Sequence, residues 1–229
     1  MSKYDISARV NPLSDQSSKV KAMASVTIDN VVAINNLTIV EGKNGLFVGY
    51  PQTKDKDGNF RDIVEFLKDQ EGKMAKESVE LKNTISKTLI AMFKNNERAA
   101  PQQEGQDKKP VMHDVKAFVT PLRDSKNATK GLASVQVGEL FKINSVRLNE
   151  NSNTGEKFVA MPSRPDKSAE GGYRDIVHPV NRDFGNNLRT AVLKQYDNQL
   201  AWKKRTADKE QSVPQHDKPA ANKSTHDIE

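Results

Sequence analysis

Gly45 to Val64 reads GLFVGYPQTKDKDGNFRDIV, and Glu156 to Val177 reads EKFVAMPSRPDKSAEGGYRDIV. Each stretch carries an apolar run ending at a proline, then a charged loop containing glycine, then an aromatic residue followed by Arg-Asp-Ile-Val. That order is strand, loop, strand, and its recurrence makes the chain a tandem repeat of one domain. The repeat extends outward. Val10-Asn11-Pro12-Leu13 returns as Val119-Thr120-Pro121-Leu122 at an offset of 109 residues, which also carries Ala24-Ser25-Val26 onto Ala133-Ser134-Val135 and Ile34-Asn35 onto Ile143-Asn144. The offset rises to 111 at Phe47-Val48 and Phe158-Val159, and to 113 at Arg61-Asp62-Ile63-Val64 and Arg174-Asp175-Ile176-Val177. It changes only in polar, glycine-bearing segments, as insertions in surface loops do.

Within 229 residues the repeat sets two small domains, each of about ninety residues and long enough to bury a modest core. We place the first copy at 4–94, a flexible linker at 95–112, the second copy at 113–202 and a disordered tail at 203–229. There is no cysteine, which excludes disulfides, thiolate metal sites and cysteine nucleophiles. The segment MSKYDISARV has no basic and apolar leader pattern, and no stretch approaches the ~20 apolar residues of a membrane span. We therefore expect a soluble cytoplasmic protein without membrane insertion. Lys and Arg number 36 against 30 Asp and Glu, a net charge of +6 that permits attraction to a polyanion without requiring it.

Alternation in Lys21–Asp29 places Ala22, Ala24, Val26 and Ile28 on one face of a strand, with Met23, Ser25 and Thr27 on the other. Asp29-Asn30 turns the chain into a strand from Val31 to Val40, whose phase slips near Asn35-Asn36 and predicts a bulge. Asp57-Gly58-Asn59 signals a hairpin with a type I′ turn, and Glu65–Lys73 reads as a loop or frayed helix. Leu81, Ile85, Leu89 and Phe93, and later Phe184, Leu188, Val192 and Tyr196, each make a helical stripe that should lie across a sheet. The fold expected is α+β: two tandem copies of a small antiparallel sheet followed by a C-terminal helix.

The second copy carries a recognisable pattern. Phe158-Val159-Ala160-Met161-Pro162-Ser163-Arg164, then Tyr173 through Asn181 (YRDIVHPVN), then Ala191-Val192-Leu193-Lys194-Gln195-Tyr196 resemble the SpoVG family of bacterial septation and developmental regulators. The likeness covers nearly all of Val115 to Tyr196. The first copy resembles the family more weakly, because Tyr50-Pro51-Gln52-Thr53 replaces Met-Pro-Ser-basic and no His-Pro-Ile-Asn follows Val64. The resemblance implies an antiparallel sheet with a C-terminal helix, pairing as dimers, and binding of DNA and RNA by regulators of gene expression. Two copies in one chain then imply an intramolecular pseudo-dimer, with further homo-oligomers left open.

Arg164 stands where the resemblance puts a nucleic-acid contact, with Lys167 and Arg174 nearby to hold phosphates. Lys54 and Lys56 occupy the matching loop of the first copy, but Asp55 and Asp57 leave that loop nearly neutral. Arg189 and Lys194 on the second helix, with Lys203-Lys204-Arg205, extend the basic set. The alternative for each is a solvated surface cation. Adjacent strand residues point to opposite faces, so Arg61-Asp62 and Arg174-Asp175 suit cross-strand pairing or loop anchoring better than catalysis. Phe47, Phe60, Phe158 and Tyr173 would stack bases only if outward, and their matching apolar positions argue for core. His113, His178, His216 and His226 show no metal-ligand spacing, and nothing resembles a phosphate loop or nucleophile elbow. No cofactor, no metal and no catalysis are expected. The reading is a SpoVG-like DNA- or RNA-binding regulator; the alternative is a protein-interaction adaptor of the division machinery that uses its sheet edges.

Overall fold

The computed structural model describes residues 3–99, 109–122 and 125–211, with 207–211 as backbone alone. Two antiparallel sheets follow the repeat. In the first, β1 (Ile6–Pro12), β2 (Val20–Ile28) and β3 (Val32–Gly42) pair in order, and β4 (Gly45–Gly49) pairs with the far end of β3. In the second, β8 (Val115–Pro121), β9 (Thr129–Val137), β10 (Phe141–Glu150) and β11 (Lys157–Ala160) repeat the plan. The intervening strands are β5 (Gln52–Lys54), β6 (Phe60–Asp62) and β7 (Val64–Phe66). Their counterparts are β12 (Ser163–Pro165), β13 (Tyr173–Asp175) and β14 (Val177–Pro179). Helix α1 (Lys76–Lys94) packs on the first sheet, chiefly along β1, and α2 (Arg182–Gln211) packs on the second, chiefly along β8.

The alternation in β2 holds: Ala22, Ala24, Val26 and Ile28 are all buried. Both helical stripes are core as well, except that Met92 takes the place expected of Phe93, which is half-buried. Asp29 and Asn30 both adopt positive φ, at 51° and 56°, as the tight turn before β3 requires. The hairpin at Asp57-Gly58 is not a type I′ turn. Gly58 N–H donates to the Asp55 carbonyl at 3.1 Å and Asp55 N–H to the Asn59 carbonyl at 2.9 Å, so a three-residue loop ends in one left-handed glycine, φ 83°. Glu65–Lys73 also differs from expectation. It begins within β7 and continues into a turn in which the Asp69 carboxylate accepts the N–H groups of Glu71 and Lys73, both at 2.9 Å.

The two copies exchange their ends. β14 of the second copy pairs antiparallel with β3 of the first, Val177 opposite Ile34 and Pro179 opposite Val32. β7 of the first copy pairs in the same way with β10 of the second, Val64 opposite Ile143 and Phe66 opposite Phe141. The expected bulge is where each exchange is gripped. Asn35 N–H donates to the Ile176 carbonyl at 2.7 Å and its side-chain amide to the Asp175 carbonyl at 2.9 Å. Asn144 N–H meets the Ile63 carbonyl at 2.8 Å and its amide the Asp62 carbonyl at 3.0 Å. The irregular residues Asn36 and Ser145, at φ 60° and 62°, open the ladder at these points. Ile63, Val64, Ile176 and Val177 are buried in a core continuous through both copies. The intramolecular pair is thus interlocked, which the local pattern did not foretell.

Further bonds tie the copies. The buried Ser78 hydroxyl on α1 donates to the Leu140 carbonyl at 2.5 Å and accepts the Leu67 N–H at 3.0 Å. His113 Nε2 lies 2.8 Å from the buried Asp29 carboxylate, and Val111 N–H donates to the Asp29 carbonyl at 3.1 Å. Of the expected linker, residues 100–108 lie outside the described set; at its start, Val10 N–H donates to the Arg98 carbonyl at 2.8 Å, so the chain lies beside β1 there. The tail does not begin at Lys203, because α2 continues through Gln211. Ala201 to Arg205 are good helix formers, and Lys203 Nζ donates to the Pro121 carbonyl at 3.2 Å. Residues 212–229 lie outside the described set. Among the described residues no helix is long and apolar enough to cross a membrane.

Candidate nucleic-acid interface

The hairpin β12–β13 is built by its own polar groups. Ser163 lies opposite Asp175, Arg164 opposite Arg174 and Pro165 opposite Tyr173. The loop closes on Asp166: one carboxylate oxygen accepts the Ser168 N–H at 3.0 Å and hydroxyl at 2.6 Å, and the other accepts Arg174 Nε at 2.6 Å. These bonds, led by the Ser168 hydroxyl and then Arg174, hold the Asp166 carboxyl well below the ordinary carboxylate range. Gly171 and Gly172 both take positive φ, at 81° and 75°, to finish the turn.

Directly opposed residues of an antiparallel pair project from one face, so Arg164 and Arg174 stand side by side. Two like charges there are unfavourable without a counter-charge. Asp166 is that counter-charge, 3.9 Å from the Arg164 guanidinium as well as 2.6 Å from Arg174. Within this trio the guanidiniums outnumber the carboxylate, while Glu170 and Asp175 line the cleft beside the hairpin. The two arginine side chains remain 44% and 52% exposed. Arg164 Nε also donates to Asn36 Oδ1 at 3.1 Å, which anchors the hairpin of the second copy to the first.

Between this hairpin and the outer face of the first sheet lies a cleft of about 730 Å³. Asn11, Met23 and Ser25 form its floor, and Arg164, Arg174 and Tyr173 line the side toward the hairpin. His178, expected at the chain's exit from the last strand, sits within β14 and reaches this cleft, and its Nδ1 is buried without a hydrogen-bond partner. Lys167 is exposed on the loop, and Arg189 and Lys194 are exposed on α2, outside the cleft lining.

The hairpin β5–β6 is similar in plan and equal in net charge, but it places its cations differently. Arg61 Nε meets Asp55 at 3.0 Å, as Arg174 meets Asp166, and Asp62 accepts the Gln52 amide at 2.7 Å. Thr53 stands where the second copy has Arg164, and Glu65 where it has His178. Its cleft, about 790 Å³, is lined by Asp62 and Glu65 and by Arg61, Lys68 and Lys82. Lys54 extends over the Phe60 ring at 5.1 Å, and Lys56 is exposed in the loop. The four repeated aromatics are not core: Phe47, Phe60, Phe158 and Tyr173 are 50%, 65%, 47% and 63% exposed. Alternation explains this, since Val48 takes the inward position beside Phe47.

A profile of the SpoVG family matches residues 1–92 and again 112–198, so both copies are recognised and the chain belongs to this family. Relatives named as septation protein SpoVG share parts of it. The protein of Staphylococcus epidermidis is 39% identical over 101 residues, 41% of this chain and 95% of its own length. That of Macrococcus caseolyticus is 39% identical over 83 residues, 34% of this chain and 69% of its own length. The Symbiobacterium thermophilum protein is 50% identical over 56 residues, 24% of this chain and only 39% of its own length.

Proposed function

We propose that this SpoVG-family chain is a non-catalytic regulator, acting in the cytoplasm, that binds DNA or RNA through the β12–β13 hairpin and so influences gene expression, septation or development. The observation that carries this reading is the exposed Arg164 and Arg174 pair, held side by side by one shared carboxylate at the mouth of a cleft. A phosphate entering there relieves the repulsion between the guanidiniums and accepts their remaining donors. Tyr173 beside them offers a ring to a base, and His178 Nδ1 offers a polar atom deeper in. Lys167 adds a further cation on the loop, and Arg189 and Lys194 serve as secondary phosphate contacts.

The test is binding of mixed DNA and RNA fragments by the intact chain at two salt concentrations, beside an Arg164→Ala, Lys167→Ala double variant. Binding should weaken steeply with salt, with a shallower slope in the variant. Absence of binding to either polymer at low salt would overturn the reading. The second reading, an adaptor that adds partner strands to sheet edges, is favoured by β4 and β11, each paired on one side only. Such pairing should be insensitive to salt.

A further inference from the structure

The outer face of the second sheet carries side chains that neither the core nor the hairpin uses. Phe118 on β8, Leu132 on β9 and Phe158 on β11 are 44%, 50% and 47% exposed. Leu132 is opposite Thr120 and Arg147, and Arg147 is opposite Ala160. Phe118 is two residues along from Thr120, and Phe158 two residues along from Ala160, so the three apolar side chains descend diagonally across the sheet with Arg147 among them. Phe118 and Leu132, diagonal neighbours on adjacent strands, lie about 7–8 Å apart, whereas Leu132 and Phe158, with β10 between them, are on the order of 12 Å apart. Lys116 and Lys142 flank the upper end, with Nζ atoms 5.9 and 5.6 Å from the Phe118 ring centre. Glu65, opposite Lys142, accepts the Asn144 amide at 3.0 Å and keeps its negative charge beside that lysine, so Lys116 and Arg147 are the stronger phosphate contacts.

The first sheet lacks this arrangement. At the matching offset Phe118 becomes Arg9 and Leu132 becomes Met23, while the cations Lys116, Lys142 and Arg147 become Ser7, Ala33 and Thr38. Its outer face is also flanked by the hairpin, because Ser168, Ala169 and Glu170 of the longer second-copy loop share a cleft with Met23 and Ser25. The shorter first-copy hairpin shares its cleft with Asn144 and Ser145 and with no residue of β8 or β9. Among the described residues, apolar rings and cations therefore occur together on the sheet face that the second-copy loop does not approach.

We infer that this face is a platform for single-stranded nucleic acid, bases lying on Phe118, Leu132 and Phe158 and phosphates on Lys116, Lys142 and Arg147. The inference rests on the nucleic-acid reading but places a second site away from the hairpin. Outward aromatics on a sheet stack unpaired bases whatever their sequence, and cations beside them follow the backbone. A base arriving on Phe118 displaces a lysine toward the phosphate, since exposed cation–π contacts are weak enough to give way. A second copy is a poorer occupant, because a two-fold contact of this face with itself would set its three cations against each other.

The test places an indole in the track. In the full chain with Trp202→Phe and Phe118→Trp, emission from position 118 should be quenched saturably by oligothymidylate or oligouridylate, and still be quenched when Arg164→Ala and Lys167→Ala are added. Phe118→Ala with Phe158→Ala, both at exposed positions, should weaken single-strand affinity on the order of tenfold or more and leave duplex binding nearly unchanged. If anisotropy shows the oligomer bound while the indole is unquenched, the platform is wrong and the hairpin reading stands. If no polymer binds at all, both fall. Self-association by sedimentation that Leu132→Asp abolishes, with no quenching, would make the face a contact between copies and overturn the inference.

Discussion

Ile63 belongs to the first copy by sequence and, through the strand that follows it, to the second copy by structure. Its carbonyl accepts the Asn144 N–H at 2.8 Å, its side chain is 1% exposed in the shared core, and Val64 beside it pairs with Ile143. Ile63→Ala removes three carbons, about 2.4 kcal/mol at ~0.8 kcal/mol per buried methylene, and a residual cavity raises this to about 2.5–4 kcal/mol. For a chain of this size that loss corresponds to a fall in Tm of about 5–15 °C. Because the core is continuous, calorimetry should show one transition that moves as a whole. Hydrogen exchange should quicken in β10 of the second copy as well as in the first. Ile176→Ala should do the reciprocal, quickening exchange in β3. If Ile63→Ala produced two transitions, with the second copy melting as in the parent protein, the exchange of ends would be refuted.

Ser78→Ala should cost about 1–3 kcal/mol in denaturant unfolding, because it strands the Leu67 N–H and the Leu140 carbonyl at a buried junction between copies; a neutral result would mean water replaces the hydroxyl. Asp166 has a depressed folded pKa, so its hold on the loop is present above the ordinary carboxylate pKa of ~4 and is lost as pH falls through the lower folded value. The Arg174 Nε–H resonance should accordingly stay sharp through about pH 4 and broaden only when the pH falls well below the ordinary carboxylate range. Asp166→Asn should broaden it at neutral pH, and an unchanged signal would show that Ser168 and the glycines suffice to shape the loop.

Sheets, helices and the bulge were legible because their signals are local. Four alternating small or β-branched residues mark β2, four-residue spacing marks each helix, and the slip at Asn35-Asn36 marks a break in one ladder. The exchange was hidden because each Ile-Val end fits either sheet. Pattern along the chain says that Val64 and Val177 are buried, but not in which copy. The recurrence of asparagine at 35 and 144 was the available sign, since a polar residue repeated at a bulge has backbone to hold. Phe47 and Phe158 were misjudged as core by weighing apolar character above alternation, although Val48 and Val159 occupy the inward phase. Arg174 and Arg61 do anchor their loops, as strand geometry suggested, but the like-charge pairing of Arg164 with Arg174 depends on hairpin register, which the unequal loops concealed.

Joining the copies in one chain lets them become unlike. In a dimer of identical subunits every substitution appears twice, so each end of the assembly repeats the other. Here Arg164 stands where the first copy has Thr53, His178 where it has Glu65, and among the described residues only the first sheet shares a cleft with the other copy's hairpin loop. A symmetric clamp cannot distinguish which way a polymer runs through it. This molecule has a front and a back, and under the proposed nucleic-acid reading a strand lying across it would have its 5′ and 3′ directions told apart.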